Sequence, residues 1–318
     1  MTAARSVLVT GAGGYLGELL VTSLATEPAG LETIVAADLR PPRLRIPGID
    51  YAEFDIRDTS IAEALRRYQV DTVVHLAAVV TAGKRPDRAL AHAVDVDGTR
   101  NVLEACVGTG VAKLIVTSSG AAYGYHADNP DPIDEDAPLR GNPEFSYSDH
   151  KRQVEEMLGT ARREHPELRQ LVLRPGTILG HTTHNQITAL FDRPAILGLR
   201  GAATPFVFIW DQDVVAILRR GILTDVSGIY NVAGDGTMTM AEIASRLGKP
   251  YVALPAALVR NALRGLRALR LTQYGPEQVD FLRYRPVLDN AKLKKEFGYQ
   301  PEKTSREAFE VFAAGRRG

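Results

Sequence analysis

Tyr147 and Lys151 stand four residues apart in Tyr147-Ser-Asp-His-Lys151, and on a helix that spacing puts phenol and ammonium on one face. A phenol with a pKa near ~10 is a poor proton-transfer group at neutral pH. A lysine charge about 5 Å away, at an effective dielectric near ~20, favours the phenolate by about 3 kcal/mol, or about two pK units. Such a pair suits taking a proton from an alcohol or returning one to a carbonyl. Tyr-x-x-x-Lys also arises by chance on solvated helices, so it needs partners. Val116-Thr-Ser-Ser119-Gly supplies them, because an apolar run there ends in the hydroxyls of Thr117, Ser118 and Ser119. Strand ends are where ligands meet open α/β sheets. Ser119 can hydrogen-bond a substrate oxygen and align it with Tyr147, while Ser118 also fits a loop-capping role.

A redox partner is announced at the other end of the chain. Val7-Leu-Val-Thr-Gly11-Ala-Gly-Gly14-Tyr15-Leu16-Gly17 reads as strand, tight turn and helix, the setting in which spaced glycines mean a dinucleotide site. Gly11 permits the turn, Gly14 lets backbone approach a pyrophosphate, and Gly17 allows close helix–strand packing. The N–H groups of the first helical turn, from Tyr15 and Leu16 onward, face the phosphates. Thr33-Ile-Val-Ala-Ala-Asp38 ends in an acid roughly 20 residues on, where a ribose-binding carboxylate is expected. Asp38 accepts from both ribose hydroxyls and repels a 2′-phosphate, which favours NAD. Arg40, after Leu39, is placed to hold that phosphate instead, and an ordinary strand-end role for Asp38 competes with both.

These groups need a scaffold, and the pattern predicts one. Short apolar runs at 51–55, 72–77, 113–117 and 168–173 alternate with helical stretches at 61–68, 86–106 and 147–164. Nearly continuous apolar strands between helices mean a doubly wound, Rossmann-type parallel sheet in the α/β class. The expected division is an NAD-binding domain over 1–175, with 206–233 returning to it. Residues 176–205 and 234–318 then form a small C-terminal, substrate-binding lobe. Within that lobe, 256–271 reads as an amphipathic helix with Arg260, Arg264, Arg267 and Arg270 on one side. It is either a solvated lobe helix or a face for an anion or membrane surface.

Lys plus Arg and Asp plus Glu each number 38, so no bulk charge points to nucleic acid. A single cysteine, Cys106, excludes an intramolecular disulfide and a multi-cysteine zinc site. His181-x-x-His184 lacks a spaced third ligand, so no metal is expected. No charged-plus-apolar leader precedes the first strand and no apolar run reaches spanning length, so a cytoplasmic protein without membrane or nucleic-acid partners is expected.

Taken together, Thr10-Gly11-x-x-Gly14-x-x-Gly17, Asp38, Asp55-Ile56, His75-Leu-Ala-Ala78, Ser118-Ser119, Tyr147-x-x-x-Lys151 and Arg174-Pro175 resemble the extended short-chain dehydrogenase/reductases. That group contains UDP-galactose 4-epimerase and the nucleotide-sugar dehydratases. Phe208-Ile-Trp-Asp-Gln-Asp213, Tyr230-Asn231-Val and Leu288-Asp-x-x-Lys292 extend the resemblance over nearly the whole chain. It implies NAD as cofactor, Tyr147 as acid/base, Lys151 as its modulator and a ribose ligand, and Ser119 as the group orienting substrate. It further implies adenine contacts from Asp55 and Ile56, and pyrophosphate and ribose contacts from Leu76, Ala77 and Ala78. Pro175 and Gly176 would pass over the nicotinamide, and the helices at 86–106 and 147–164 would pair in a homodimer. Three features depart from the family. Asp95-Val-Asp-Gly98-Thr replaces a usual asparagine near the cofactor with a charge. Gly176-Thr follows Arg174-Pro175 where Phe-Asn is common, and the 176–206 segment is short. The implied activity is oxidoreductase-type chemistry on a small-molecule substrate at a secondary alcohol or carbonyl carbon, as a (nucleotide-)sugar epimerase or dehydratase. The alternative is an NAD(P)-dependent dehydrogenase/reductase of a smaller hydroxy or keto substrate with net cofactor turnover.

Overall fold

Strands buried on both faces need helices above and below them, and the chain supplies both. The computed structural model describes residues 4–40, 45–79, 87–269, 271–272 and 275–316. In chain order the elements begin β1 (Ser6–Thr10), α1 (Tyr15–Thr26), β2 (Thr33–Asp38), β3 (Asp50–Glu53), α2 (Ser60–Arg67) and β4 (Thr72–His75). There follow α3 (Arg88–His92), a π-helical turn (Ala93–Gly98), α4 (Thr99–Thr109), β5 (Lys113–Thr117), α5 (Ser146–Glu164) and β6 (Arg169–Pro175). Next come β7 (Thr177–Leu179), α6 (Thr188–Phe191), β8 (Ile196–Leu199), β9 (Pro205–Phe206), β10 (Phe208–Trp210), α7 (Asp211–Leu223) and β11 (Gly228–Val232). The last are β12 (Met238–Thr239), α8 (Met240–Arg246), β13 (Tyr251–Leu254), α9 (Ala256–Ala268), α10 (Gln278–Arg283) and α11 (Ser305–Ala314).

Among the described residues, seven strands form one parallel sheet in the order β11-β6-β5-β4-β1-β2-β3. The chain runs outward from β1 to β3 on one side and from β4 to β11 on the other. Loops leaving β1 and β4 therefore diverge, and a crevice opens at their carboxyl ends. Period-two alternation decides the faces. Val7 and Val9 pack with Leu20 and Leu24 of α1 and Ile217 and Leu218 of α7, while Leu8 packs with Ile61, Val102 and Leu158 of α2, α4 and α5. A third core holds Phe191, Phe206, Phe208, Phe309 and Phe312. Two helices around it start with capping boxes, Thr239 with Glu242 and Thr304 with Glu307.

Three expectations need adjusting. The return expected from residue 206 starts with two short strands outside the main sheet: β9 pairs antiparallel with β12, β10 pairs parallel with β7, and neither joins the seven-stranded sheet. The return to that sheet begins with α7 at Asp211. The long helix is described from Arg88, with Pro86 outside the described residues, and a π-helical turn interrupts it at Ala93–Gly98. On α9, Arg260 pairs with Asp280 and Arg267 with Glu277, and Arg270 lies outside the described residues.

A buried polar network locks the carboxyl edge of the sheet. Arg174, at the end of β6, grips Glu155 of α5 through Nε and Nη2, at 2.7–3.0 Å, and both side chains are under 5 % exposed. The Ser118 hydroxyl donates to Glu155 at 2.5 Å. Arg174 Nη1 donates to the Tyr123 hydroxyl, which donates to Asn231 Oδ1 on β11. Each nitrogen of the guanidinium thus has a partner, so the pair is well satisfied. Removing one member strands the other in the interior. Glu155→Ala is expected to cost about 3–5 kcal/mol in urea unfolding, far beyond an exposed pair such as Arg5–Glu32, worth about 0–1 kcal/mol. Equal midpoint shifts for the two losses would contradict this account.

Candidate active site

The glycine loop is shaped by contacts that leave no room for side chains. Gly11 has φ +70°, and a Cβ there would lie 2.6 Å from the Ala77 nitrogen. A Cβ on Gly17 would lie 2.2 Å from the Gly11 carbonyl oxygen, so Gly17 fits α1 against the loop itself rather than against a strand. Gly14 closes the turn by donating to the Gly11 carbonyl at 3.0 Å. Asp38 accepts from the Gly13 N–H at 2.9 Å, which holds its carboxylate beside the turn. The result is a glycine cradle at a helix N-terminus with an acid beside it, and its donor set fits a dinucleotide.

A cavity of about 570 Å³ opens from this cradle across the crevice. Gly11, Gly14, Tyr15, Leu16, Gly17, Leu76, Ala78, Thr117, Ser118, Ser119, Tyr147, Lys151, Pro175 and Gly176 all line it. The sequence-predicted catalytic set and most of the predicted cofactor set thus share one space. Asp38, Leu39, Arg40, Asp55, Ile56, Ala77 and Asp95 do not line it. Leu39 and Arg40 are exposed just past β2, and Ala77 backs Gly11. Asp55 follows β3, where Arg57 holds its carboxyl below the usual carboxylate range. Asn101 of α4 fixes the neighbouring turn by donating to the carbonyls of Ile56 and Asp58, both at 2.7 Å.

Asp95 sits beneath the cavity. The π-helical turn points its carboxylate at the Val79 N–H, at 2.7 Å, and at His150 Nδ1 of α5, at 3.0 Å. It therefore ties the loop after β4 to the helix carrying Tyr147. A second chain runs from Thr10 through His75 to Thr99. Thr99 gives its own proton to the Asp95 carbonyl, so it accepts from His75 Nε2, and His75 Nδ1 accepts from Thr10. Burial holds His75 neutral, with its pKa pushed down to about 3.

Around the reacting position, Ser148 anchors α5 to the strand-end turn by donating to the Ala121 carbonyl at 2.7 Å. Ser119 accepts from the Ala121 N–H at 3.1 Å and its hydroxyl acts on the Tyr147 phenol, lowering its pKa. Lys151 Nζ donates to the Thr117 carbonyl at 2.9 Å and lies 5.8 Å from the Tyr147 ring centroid. This corrects one electrostatic expectation. Burial dominates at Tyr147 and pushes the phenol up to about 12; the Ser119 hydroxyl pulls the other way, and the Asp95 charge adds to the rise. Burial also lowers the Lys151 pKa.

The spacing of residues gave no hint of several lining groups. Tyr125, Val207, Phe281, Arg285 and Leu288 wall the far end, and Thr183–Ile187 close one side. Tyr15 also reaches across, donating to Asp211 and accepting from Thr183 at 3.0 Å. His184 lies at the edge beside Arg316, and no metal-binding cluster occurs among the described residues. No helix among them is long and apolar enough to cross a membrane.

Comparison with known proteins yields a family match. Residues 7–196 match the model described as the NAD dependent epimerase/dehydratase family. An uncharacterized protein of Mycobacterium tuberculosis is 28% identical over 319 residues, spanning 98% of this chain and 84% of that protein. The Escherichia coli O157:H7 enzyme N-acetyl-alpha-D-glucosaminyl-diphospho-ditrans,octacis-undecaprenol 4-epimerase is 34% identical over 276 residues, covering 80% of this chain and 76% of its own. The UDP-glucose 4-epimerase of Thermus thermophilus, solved as a complex with NAD, superposes with a TM-score of 0.75 at 25% identity, covering 98% of this chain and 99% of its own.

Two outcomes follow from the geometry. In a difference-absorbance titration of cofactor-free wild type against Tyr147→Phe, Tyr147 should contribute no phenolate signal below about pH 11. A phenolate appearing near pH 8 would contradict the dominance of burial. Gly17→Ala should weaken NAD binding, read by calorimetry, at least about tenfold while the circular dichroism spectrum holds, since the new Cβ meets the Gly11 carbonyl. Unchanged affinity would remove the cradle from cofactor binding.

Proposed function

The chain belongs to the NAD dependent epimerase/dehydratase family and its cofactor is NAD, and from that premise we propose that it epimerises a secondary carbinol of a diphosphate-linked sugar such as a nucleotide sugar. The observation that carries this is the meeting of Ser119, Tyr147 and Lys151 with the glycine cradle in one cavity. The cradle, the first turn of α1 and Asp38 are the groups to hold the dinucleotide, with Asp38 favouring NAD over its 2′-phosphate. NAD supplies reversible two-electron chemistry at a carbinol carbon when bound. Ser119 orients the substrate hydroxyl, and Tyr147 takes its proton and later returns it to the same oxygen. Lys151, held by the Thr117 carbonyl, keeps a positive charge beside the tyrosine.

Epimerisation fits better than dehydration for a stated reason. Expelling a neighbouring hydroxyl as water calls for a second acid at the substrate. No Asp or Glu lines the cavity among the described residues. The lobe built around the third core closes the substrate end in this reading, and pairing of two copies through α4 and α5 belongs to it as well. The Escherichia coli relative, a 4-epimerase by name, supports the same choice.

The test begins with the purified protein. Denaturing it and identifying the released dinucleotide by mass and absorbance should recover about one NAD per chain, as retention through turnover requires. Tyr147→Phe should retain NAD yet lose about 10²–10⁴-fold in epimerisation of UDP-sugars. Little bound NAD, together with steady NADH formation from a simpler alcohol, would put a dehydrogenase in its place.

A further inference from the structure

The far wall of the cavity holds a cation that no acceptor among the described residues pairs with. Arg285 lies between two rings, with its guanidinium carbon 4.1 Å from the Phe206 centroid and 4.8 Å from that of Phe281. Contact with two aromatic rings supplies no hydrogen-bond acceptor in the plane of the N–H groups, so those donors still want partners. Nη1 is fully buried and has no hydrogen-bond partner, and no ion pair reaches Arg285 among the described residues. A buried cation without an anion is costly, and ring stacking replaces only part of the lost hydration.

Its place in the fold is close to the chemistry. Three residues on, Leu288 packs on Gly120, the neighbour of Ser119, so closely that a Cβ on Gly120 would lie 2.9 Å from it. Tyr125, which rests on Phe281 with ring centroids 4.8 Å apart, feels both the Arg285 charge and the Tyr147 phenol. Arg285 and Lys151 are the cationic side chains on the lining, and Lys151 already serves the tyrosine. One free guanidinium matches one negative charge, whereas a diphosphate brings two.

We propose that Arg285 recognises a single anionic group, a carboxylate or phosphate monoester, borne by the reacting sugar itself. The planar fork presents two parallel N–H donors to two oxygens of such a group. The epimerase would then act on an acidic sugar and reject its neutral counterpart through the unpaired edge of Arg285. This inference rests on the sugar-epimerase reading for its substrate class, but its test does not require turnover.

Binding is measured by calorimetry on NAD-loaded protein carrying Tyr147→Phe, alone and with Arg285→Gln or Arg285→Lys. The probes are UDP-glucose, UDP-glucuronate, glucose 6-phosphate, glucose and UDP. Arg285 should make the acidic member of a pair bind about 10- to 100-fold more tightly than the neutral one. Arg285→Gln should erase that ratio while leaving NAD and UDP affinity unchanged, and Arg285→Lys should restore part of it. UDP-glucuronate against UDP-glucose reports a carboxylate, and glucose 6-phosphate against glucose reports a phosphate. No preference in either pair, or a preference that survives Arg285→Gln, overturns the proposal. An equal loss of UDP and UDP-glucuronate affinity also overturns it, by assigning the guanidinium to the diphosphate. Epimerisation of neutral UDP-sugars at unchanged rate in the Arg285→Gln single variant would sink this inference and leave the epimerase reading intact. Arg285-dependent binding without any epimerisation would do the reverse.

Discussion

The ion pair between Glu155 and Arg174 is the constraint on which the site depends. Arg174 ends β6, Glu155 lies on α5 one turn beyond Lys151, and Ser118 caps the same carboxylate from the end of β5. Three elements that each supply a wall of the cavity are thereby fixed to one buried charge. Such a pair is weak evidence for stability in general, because desolvation offsets most of its attraction. Here the remaining guanidinium nitrogen donates to the Tyr123 hydroxyl and the Glu135 carbonyl, and Tyr123 donates onward to Asn231, so one network fixes the carboxyl edge of β5, β6 and β11. The energy it returns matters less than the single arrangement it permits, since the hydroxyls of Ser119 and Tyr147, the proposed catalytic groups, hang from its two ends.

Below the cofactor cradle the same logic recurs with neutral and charged groups in separate chains. His75 stays neutral between two threonines, and Asp95 spends its carboxylate on a backbone N–H and on His150. The charge that distinguishes Asp95 from an amide therefore does not face the ligand space directly. It reaches Tyr147 only through the field, where it opposes ionisation, as burial does. In the proposed mechanism the positive charge that favours the phenolate comes partly from Lys151, whose ammonium is also committed to the Thr117 carbonyl. In the cofactor-free site the phenol is a reservoir for its proton. A second positive charge in the cavity, such as an oxidised nicotinamide, moves that balance toward proton transfer.

Local constraints were legible in the sequence and tertiary ones were not. Gly11 and Gly17 are glycines because neighbouring backbone leaves no room, and their spacing reports a loop a few residues long. Tyr147 and Lys151 are read from one helical turn. The π-helical turn at Asp95 escapes such reading because a shifted hydrogen-bond register leaves the apolar pattern nearly unchanged. The break at Val207 escapes it because Phe206, Val207 and Phe208 are all buried, so the run looks continuous. Tyr125, Phe281 and Arg285 come from separate stretches, and only packing makes them one wall.

That wall also bears on how one fold serves different substrates. The cofactor end is set by backbone geometry that tolerates little change, whereas the far end consists of side chains delivered by α10 and the segment leading to Leu288. Aromatic rings there give a large contact area without directional demand, so Tyr125 and Phe281 by themselves select flatness more than identity. A charged group with an unmet donor does the opposite, because leaving it unpaired penalises every ligand that lacks the matching acceptor. In the proposed reading, a cavity with Tyr147 as acid/base, no lining carboxylate among the described residues and one guanidinium nitrogen left without a partner restricts both the reaction and its substrate by what it withholds. Its described lining offers no second proton donor of carboxylate type for elimination, and on the proposed substrate it leaves a neutral sugar facing an unanswered charge.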